Sequence, residues 1–293
     1  SETRPSPNCP GRNKPIPELN VAPASSALGA VWVSMGAGAR PVMASATMSE
    51  GAPILSVMTF NILNARNPLH PWEDRKELVA AAIGYADPAV MGVQEAYDEQ
   101  MEWLRQRLPA YASFGEGRDG GRAGEYAGIF YKHARLSLLA GGNLWLSETP
   151  TLAGRRGWDA DCVRMASWVR LRDRLGGREL ALINCHLDHR GAEARIRSAH
   201  MLWDLATGMG AGLPIILMGD FNCGPGSEPH AFLTAPGRFQ DCWQESTGEG
   251  PATCHHFEGL AAEGARIDWI LFRGPLSVLG VERILWNLSL IHI

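Results

Sequence analysis

Five polar side chains stand where apolar runs of the chain stop. Asn61 closes the run 55–63 (LSVMTFNIL), Glu95 follows 89–94, and His186 ends 179–187. Asp220 and Asn222 follow 214–218 within Gly219-Asp220-Phe221-Asn222. A side chain at the carboxyl end of a strand is held rigidly and faces the crevice that such ends share. One carboxylate there reads as a turn or cap residue. Carboxylates and amides at several strand ends form a set of hard oxygen donors. Such a set suits Mg²⁺ or Mn²⁺, which keep several waters and share the phosphate oxygens of a substrate. The histidine and Asn222 are then placed to bind or protonate phosphate oxygens.

The elements that must position these residues alternate between strand and helix. Strand-like runs cover 55–63, 89–94, 126–131, 136–146, 163–171, 179–187, 214–218, 266–272 and 276–285. Helical spacing is seen over 72–86, where Leu78, Val79, Ala82, Ile83 and Ala86 share a face before Asp87-Pro88 stops the helix. Residues 97–108 (Met101, Leu104, Leu108) and 192–206 (Ile196, Ala199, Trp203, Ala206) read the same way. Gly176-Gly177 between two strand runs reads as a hairpin, and the Gly-rich stretch 115–124 as an ordinary loop. No repeat or linker divides 53–287, so one domain is expected. Hairpins exclude an all-parallel sheet. Two mixed β-sheets packed face to face, with helices outside, fit the α/β pattern.

The chain has 293 residues, 45% hydrophobic and 20% charged, with a formal charge of −4. A general nucleic-acid coat would want a basic surplus, so that class is disfavoured. Six cysteines (9, 162, 185, 223, 242 and 254) form no C-x-x-C pair and are read as free thiols in a reducing compartment. Residues 1–52 are expected to form a disordered or non-native leader, and 288–293 an irregular tail. The uncharged stretch 19–39 is diluted by Gly, Ser, Ala and Pro, so no membrane span is expected. Arg4, Arg12 and Lys14 ahead of 27–39, and Ala44-Ser45-Ala46 after it, leave secretion open beside the favoured cytoplasmic reading. A monomer is expected.

Thr59-Phe60-Asn61-Ile62, Val93-Gln94-Glu95, Cys185-His186-Leu187-Asp188-His189, Gly219-Asp220-Phe221-Asn222 and Arg266-Ile267-Asp268-Trp269-Ile270 stand in this order along 54–285. Together they resemble the signature blocks of the endonuclease/exonuclease/phosphatase superfamily, the deoxyribonuclease I-like fold. Five ordered blocks are far more specific than any single one. The resemblance implies a four-layer αββα sandwich and a phosphoesterase dependent on Mg²⁺ or Mn²⁺. It implies Glu95 as the metal carboxylate with Asn61 assisting, and Asp220 as the group that orients or deprotonates the attacking water. Asn222 and His186 correspond to phosphate-binding groups, Tyr126 to a tyrosine on the scissile phosphate, and Arg164 to a substrate-contacting arginine. Asp268 corresponds to the aspartate that orients a catalytic histidine. The family pattern closes with Ser-Asp-His, and nothing like it follows residue 285; His292 in LIHI has no acidic neighbour. An impaired or non-catalytic binding protein of the same fold is therefore one alternative. The other is a zinc hydrolase of the metallo-β-lactamase type, from His186-x-Asp188-His189, although Asn184 stands where that motif has its first histidine. The expected substrate is a phosphorylated small molecule or a nucleic acid.

Overall fold

The computed structural model describes residues 30–34, 54–246, 250–254 and 264–284. In chain order, β1 (Ala30–Ser34) and β2 (Ile54–Asn61) precede α1 (Trp72–Ala86), β3 (Val90–Ala96) and α2 (Asp98–Arg107). The strands β4 (Tyr111–Phe114), β5 (Tyr126–Lys132), β6 (Leu136–Trp145), β7 (Met165–Asp173) and β8 (Glu179–His186) follow. Then come α3 (Ala192–Gly208), β9 (Ile215–Asp220), α4 (Glu228–Leu233), β10 (Gln240–Asp241), α5 (Cys242–Ser246), β11 (Asp268–Arg273) and β12 (Ser277–Val281).

Two six-stranded sheets result, ordered β12-β1-β2-β3-β5-β4 and β10-β11-β9-β8-β7-β6. Each contains one parallel pair, β2–β3 and β8–β9, among antiparallel neighbours. A parallel pair needs a crossover, and here α1 and α3 supply it. Each sheet therefore carries a β-α-β unit, and the carboxyl ends of those units bear Asn61, Glu95, His186 and Asp220.

Burial explains the layering. Leu55, Val57, Ile129, Val169, Leu182, Ile216, Met218 and Phe272 form the core between the sheets. Met58, Phe60, Met91 and Phe130, on the opposite face of the first sheet, pack on Val79, Ile83, Met101 and Leu104 of α1 and α2. Ala181, Ile183, Leu217 and Leu271 cover Ala199, Leu202 and Ala206 of α3. The alternation of apolar side chains along each strand thus feeds both the inner and an outer layer, which makes the αββα sandwich.

The inner layer is not wholly apolar. Asn184 of β8 donates to Val93 O (3.0 Å) and Gly128 O (2.8 Å) of the first sheet and accepts from Gln94 Nε2 (2.6 Å). A Cβ on Gly92 would sit 2.5 Å from Asn184 Oδ1, so the missing side chain there makes room for the bridge.

Ala30–Ser34 correct the expected leader. They pair antiparallel with both β2 and β12. Their AVWVS sequence is strand-prone, but the Gly-, Ser- and Pro-rich context hides it, and two partner edges decide it. The rest of 1–52, and the tail 288–293, lie outside the described residues. The stretch 115–124 is also more built than an ordinary loop. Gly117 N–H donates to Gly121 O, Arg118 N–H to Glu125 O, and Asp119 N–H to Ala123 O. Among the described residues no helix is long and apolar enough to cross a membrane.

Candidate active site

Glu95 is placed by a break in strand pairing. The β3–β5 register shifts between Val93 and Ala96, and Glu95 takes φ = 63°, a left-handed conformation that non-glycine residues rarely adopt. Its carboxylate thereby leaves the pleat. Oε1 accepts from Asn61 Nδ2 (2.8 Å), and Oε2 accepts from Asn64 N (3.2 Å) and Nδ2 (2.9 Å). The same Asn61 amide donates to Asp220 Oδ2 at 3.0 Å. One amide thus bridges carboxylates from the two sheets.

The second sheet supplies the rest. Asp220 lies opposite His186 on β8 and Asp268 on β11 in the strand registers. Asn222, at φ = 50°, donates its backbone N–H to Asp220 Oδ1 (2.9 Å) and its amide to Leu187 O (2.9 Å). That amide also lies 3.0 Å from His186 Nε2. An amide nitrogen can only donate, so Nε2 accepts and the ring proton sits on Nδ1. His186 Nε2 is 3.7 Å from Asp220 Oδ2. Gly219 permits this approach: with φ = 148°, its Cβ would fall 2.0 Å from Cys185 O.

The electrostatics follow from burial. Desolvation, then the charges of Arg164 and Arg118, holds His186 well below its ordinary value, so the ring is neutral. Burial pushes the Asp220 carboxyl up, against the Asn61 and Asn222 donors, and Glu95 adds to the rise. Asp268 is raised by burial and then by Asp220, although the Thr253 hydroxyl counters. Asp220 and Asp268 are thus buried carboxyls that repel one another, and the charge of Glu95 acts on both. Hard oxygen donors whose charged form is disfavoured in this way fit a divalent cation, which would offset both the burial and the repulsion.

Two expected site residues stand apart from this network. The Tyr126 hydroxyl donates to Asp98 Oδ1 at 2.9 Å, and burial together with Asp98 pushes it up to about 12. No described hydrogen bond joins it to the carboxylates. Arg164 is buried against Asp188 (Nε to Oδ2, 3.4 Å) and donates to His189 Nδ1 at 3.1 Å. It reaches His186 through its charge. Asp188 also accepts the backbone N–H groups of Cys162, Arg190 and Gly191. Burial works to raise that carboxyl, and these donors outweigh it and hold it below the usual range. His186, Asp188 and His189 consequently serve different partners and do not converge as a zinc triad.

Sequence reading missed the supports. Buried Arg75 of α1 donates to the carbonyls of Ile62, Leu63 and Asn64, and desolvation lowers its guanidinium to about 10. Gln100 of α2 accepts from Ala65 N–H (2.8 Å) and donates to Leu63 O (3.0 Å). Together they fix the loop that carries Asn64. An arginine on the apolar side of a helix was the available signal. His255, His256 and everything after residue 284 fall outside the described residues.

Residues 58–289 match the Endonuclease/Exonuclease/phosphatase family. The chain belongs to this family. A family structure from Bacteroides vulgatus is 32% identical, with a TM-score of 0.69 over 74% of this chain and 85% of that one. A mannosyl-6-phosphatase from Bacteroides thetaiotaomicron is 30% identical, with a TM-score of 0.68 over 74% and 85%. The human Nocturnin catalytic domain shares the fold at 22% identity and a TM-score of 0.61, over 74% of this chain and 80% of that one. No curated protein matched by sequence.

Proposed function

We propose that this family member is a phosphoesterase, dependent on Mg²⁺ or Mn²⁺, that hydrolyses a phosphomonoester or phosphodiester by attack of water. The observation that carries this reading is the Asn61 amide shared by Glu95 and Asp220 across the two sheets. Glu95 would hold the cation with Asn61 assisting, in keeping with the raised Asp220 and Asp268 carboxyls beside them. When bound, the cation supplies Lewis-acid neutralisation of phosphoryl charge.

The side chains divide the remaining work. Asp220 orients water and accepts its proton, a role suited to a carboxyl pushed upward by burial. Asn222 and neutral His186 are the pair that would meet the phosphoryl oxygens; both amide N–H groups of Asn222 are held by Leu187 O and His186 Nε2, so a phosphoryl oxygen would take the place of His186 Nε2 on that amide. Arg164 contributes positive charge from behind His186. Asp268 shares the charge of Asp220 and positions its surroundings. The substrate is a phosphorylated small molecule or a nucleic acid. The 30% identity to a mannosyl-6-phosphatase and the acidic charge balance favour a small sugar phosphate.

Screening phosphomonoesters and phosphodiesters with Mg²⁺ and Mn²⁺, in the wild type and in Asp220→Ala, tests the proposal. The expected result is metal-dependent hydrolysis that Asp220→Ala removes through kcat while KM holds, because a water-orienting group acts in the transition state. Turnover that ignores chelator, or a loss confined to KM, overturns it.

A further inference from the structure

Beside the catalytic network lies a group of side chains that the proposed reaction does not use. Asp161, Cys162 and His189 bring a carboxylate oxygen, a thiol sulfur and an imidazole nitrogen within 4.8 Å of one another. Asp161 and His189 are exposed, and Cys162 is partly so. We propose that these three residues form a zinc site, completed by water, whose occupancy breaks the hydrogen bond that ties Arg164 to His189.

Distances and donor chemistry support the ligand set. His189 Nε2 stands 3.4 Å from Asp161 Oδ2, long for a good hydrogen bond. Tetrahedral zinc with bonds of about 2.0–2.1 Å to nitrogen and oxygen sets two ligands roughly 3.3–3.4 Å apart. The nitrogen and oxygen therefore already span one edge of such a site. A thiolate, an imidazole and a carboxylate suit borderline-soft Zn²⁺ better than Mg²⁺, which favours oxygen ligands alone. The catalytic carboxylates and this group thus select different cations.

Proton bookkeeping supplies the coupling. A guanidinium can only donate, so in the hydrogen bond from Arg164 the Nδ1 of His189 accepts and its Nε2 carries the proton. Zinc takes Nε2 with its lone pair. The ring proton then moves to Nδ1, where it faces the N–H of Arg164, and the hydrogen bond cannot survive. The Cys162 thiol releases its proton to solvent as the zinc–sulfur bond forms. Arg190, whose guanidinium lies 3.6 Å from Asp161 Oδ2, yields the same carboxylate. Arg164 keeps only Asp188 and loses the partner that aims its second nitrogen. Zinc should accordingly raise KM for an anionic substrate more than it lowers kcat.

Cobalt(II) gives a spectroscopic probe that needs no catalysis. Metal-free protein is titrated with Co²⁺ in excess Mg²⁺, and the thiolate-to-cobalt charge-transfer band is followed. One Co²⁺ per chain with that band, displaced by Zn²⁺ and lost in Cys162→Ser, is the expected result. Asp161→Asn should weaken zinc at least as much as loss of an outer-shell partner does, roughly 10–100-fold. In Mg²⁺-supported hydrolysis, Cys162→Ser should match wild type without zinc and resist micromolar zinc. Absence of the band overturns the proposal, as does its persistence in Cys162→Ser, which would assign it to another thiol, such as Cys223 or Cys254, which are partly exposed among the described residues. Equal zinc inhibition of both proteins overturns the coupling. A band that behaves as expected in a protein without hydrolysis upholds the site and counts against the phosphoesterase reading instead.

Discussion

Replacing Asn184 with alanine should be the most costly polar substitution between the sheets. The side chain is fully buried and makes three hydrogen bonds: to Val93 O, to Gly128 O and from Gln94 Nε2. Gln94 Nε2 keeps Thr59 Oγ1 at 3.1 Å, so that donor is not left without a partner. The loss is then near the ordinary net value of about 1 kcal/mol per bond. A residual void adds to this, because Gly92 offers no side chain to fill it. The sum is ~3–5 kcal/mol. For a domain of this size each kcal/mol moves Tm by about 2–4 °C, so the drop should be on the order of 10 °C. Urea denaturation and thermal melts of metal-free protein measure it, with Leu175→Ala, at an exposed position, as a control expected within about 0.5 kcal/mol. Because Gln94 adjoins Glu95, the variant should also need more Mn²⁺ to reach half-maximal rate. A loss under about 1 kcal/mol would refute the view that this bridge holds the sheets in register at the site.

Three other outcomes are expected. Gly219→Ala should push β9 from β8 beside Asp220, since its Cβ meets Cys185 O, and should lower both stability and kcat, as read by melts and steady-state rates. Glu95→Gln should raise the Mg²⁺ needed for half-maximal rate and lower that rate while circular dichroism and Tm stay near wild type; an unchanged Mg²⁺ titration would remove Glu95 from the metal set. The third concerns pH. Asp220 and Asp268 are raised in the folded state, so between the ordinary carboxylate value of 3.8 and the raised ones the folded chain binds more protons than the unfolded. Metal-free stability must then fall as pH rises above that value, and Mn²⁺ or Asp220→Asn should flatten the slope in a Tm-versus-pH series.

Legibility in the sequence followed the range of each signal. Asn61, Glu95, His186, Asp220 and Asn222 end apolar runs, and that is a local pattern; the network joins all five. The helices of both crossovers were legible from their apolar periodicity, and Asp87 in the left-handed region ends α1 as Asp87-Pro88 implies. What escaped depends on distant partners. Arg75 and Gln100 act on a loop more than ten residues away in sequence, and Asn184 meets Gln94 across 90 residues. The strand at Ala30–Ser34 exists through the edges of β2 and β12. Tyr126 shows the converse: a motif can place a residue on the right strand while its hydroxyl is committed to Asp98.

The backbone at the site explains why strand propensity alone stops short of it. Glu95 and Asn222 both lie in the left-handed region. Asparagine tolerates that conformation and glutamate much less, so Glu95 carries strain of order 1–3 kcal/mol that glycine would avoid. The surrounding bonds offset it: two from Asn64 and one from Asn61 to the carboxylate, with Arg75 and Gln100 holding the Asn64 loop in place. Relaxing Glu95 into the pleat would break the first three together. The strain is thus tied to the position of one carboxylate, and the buried polar supports of α1 and α2 exist to keep that carboxylate out of the pleat and beside Asp220. A fold that needed only stability could place glycine at position 95 and an apolar residue at position 75. Retaining both charged groups accords with the role proposed for the negative charge at the end of β3.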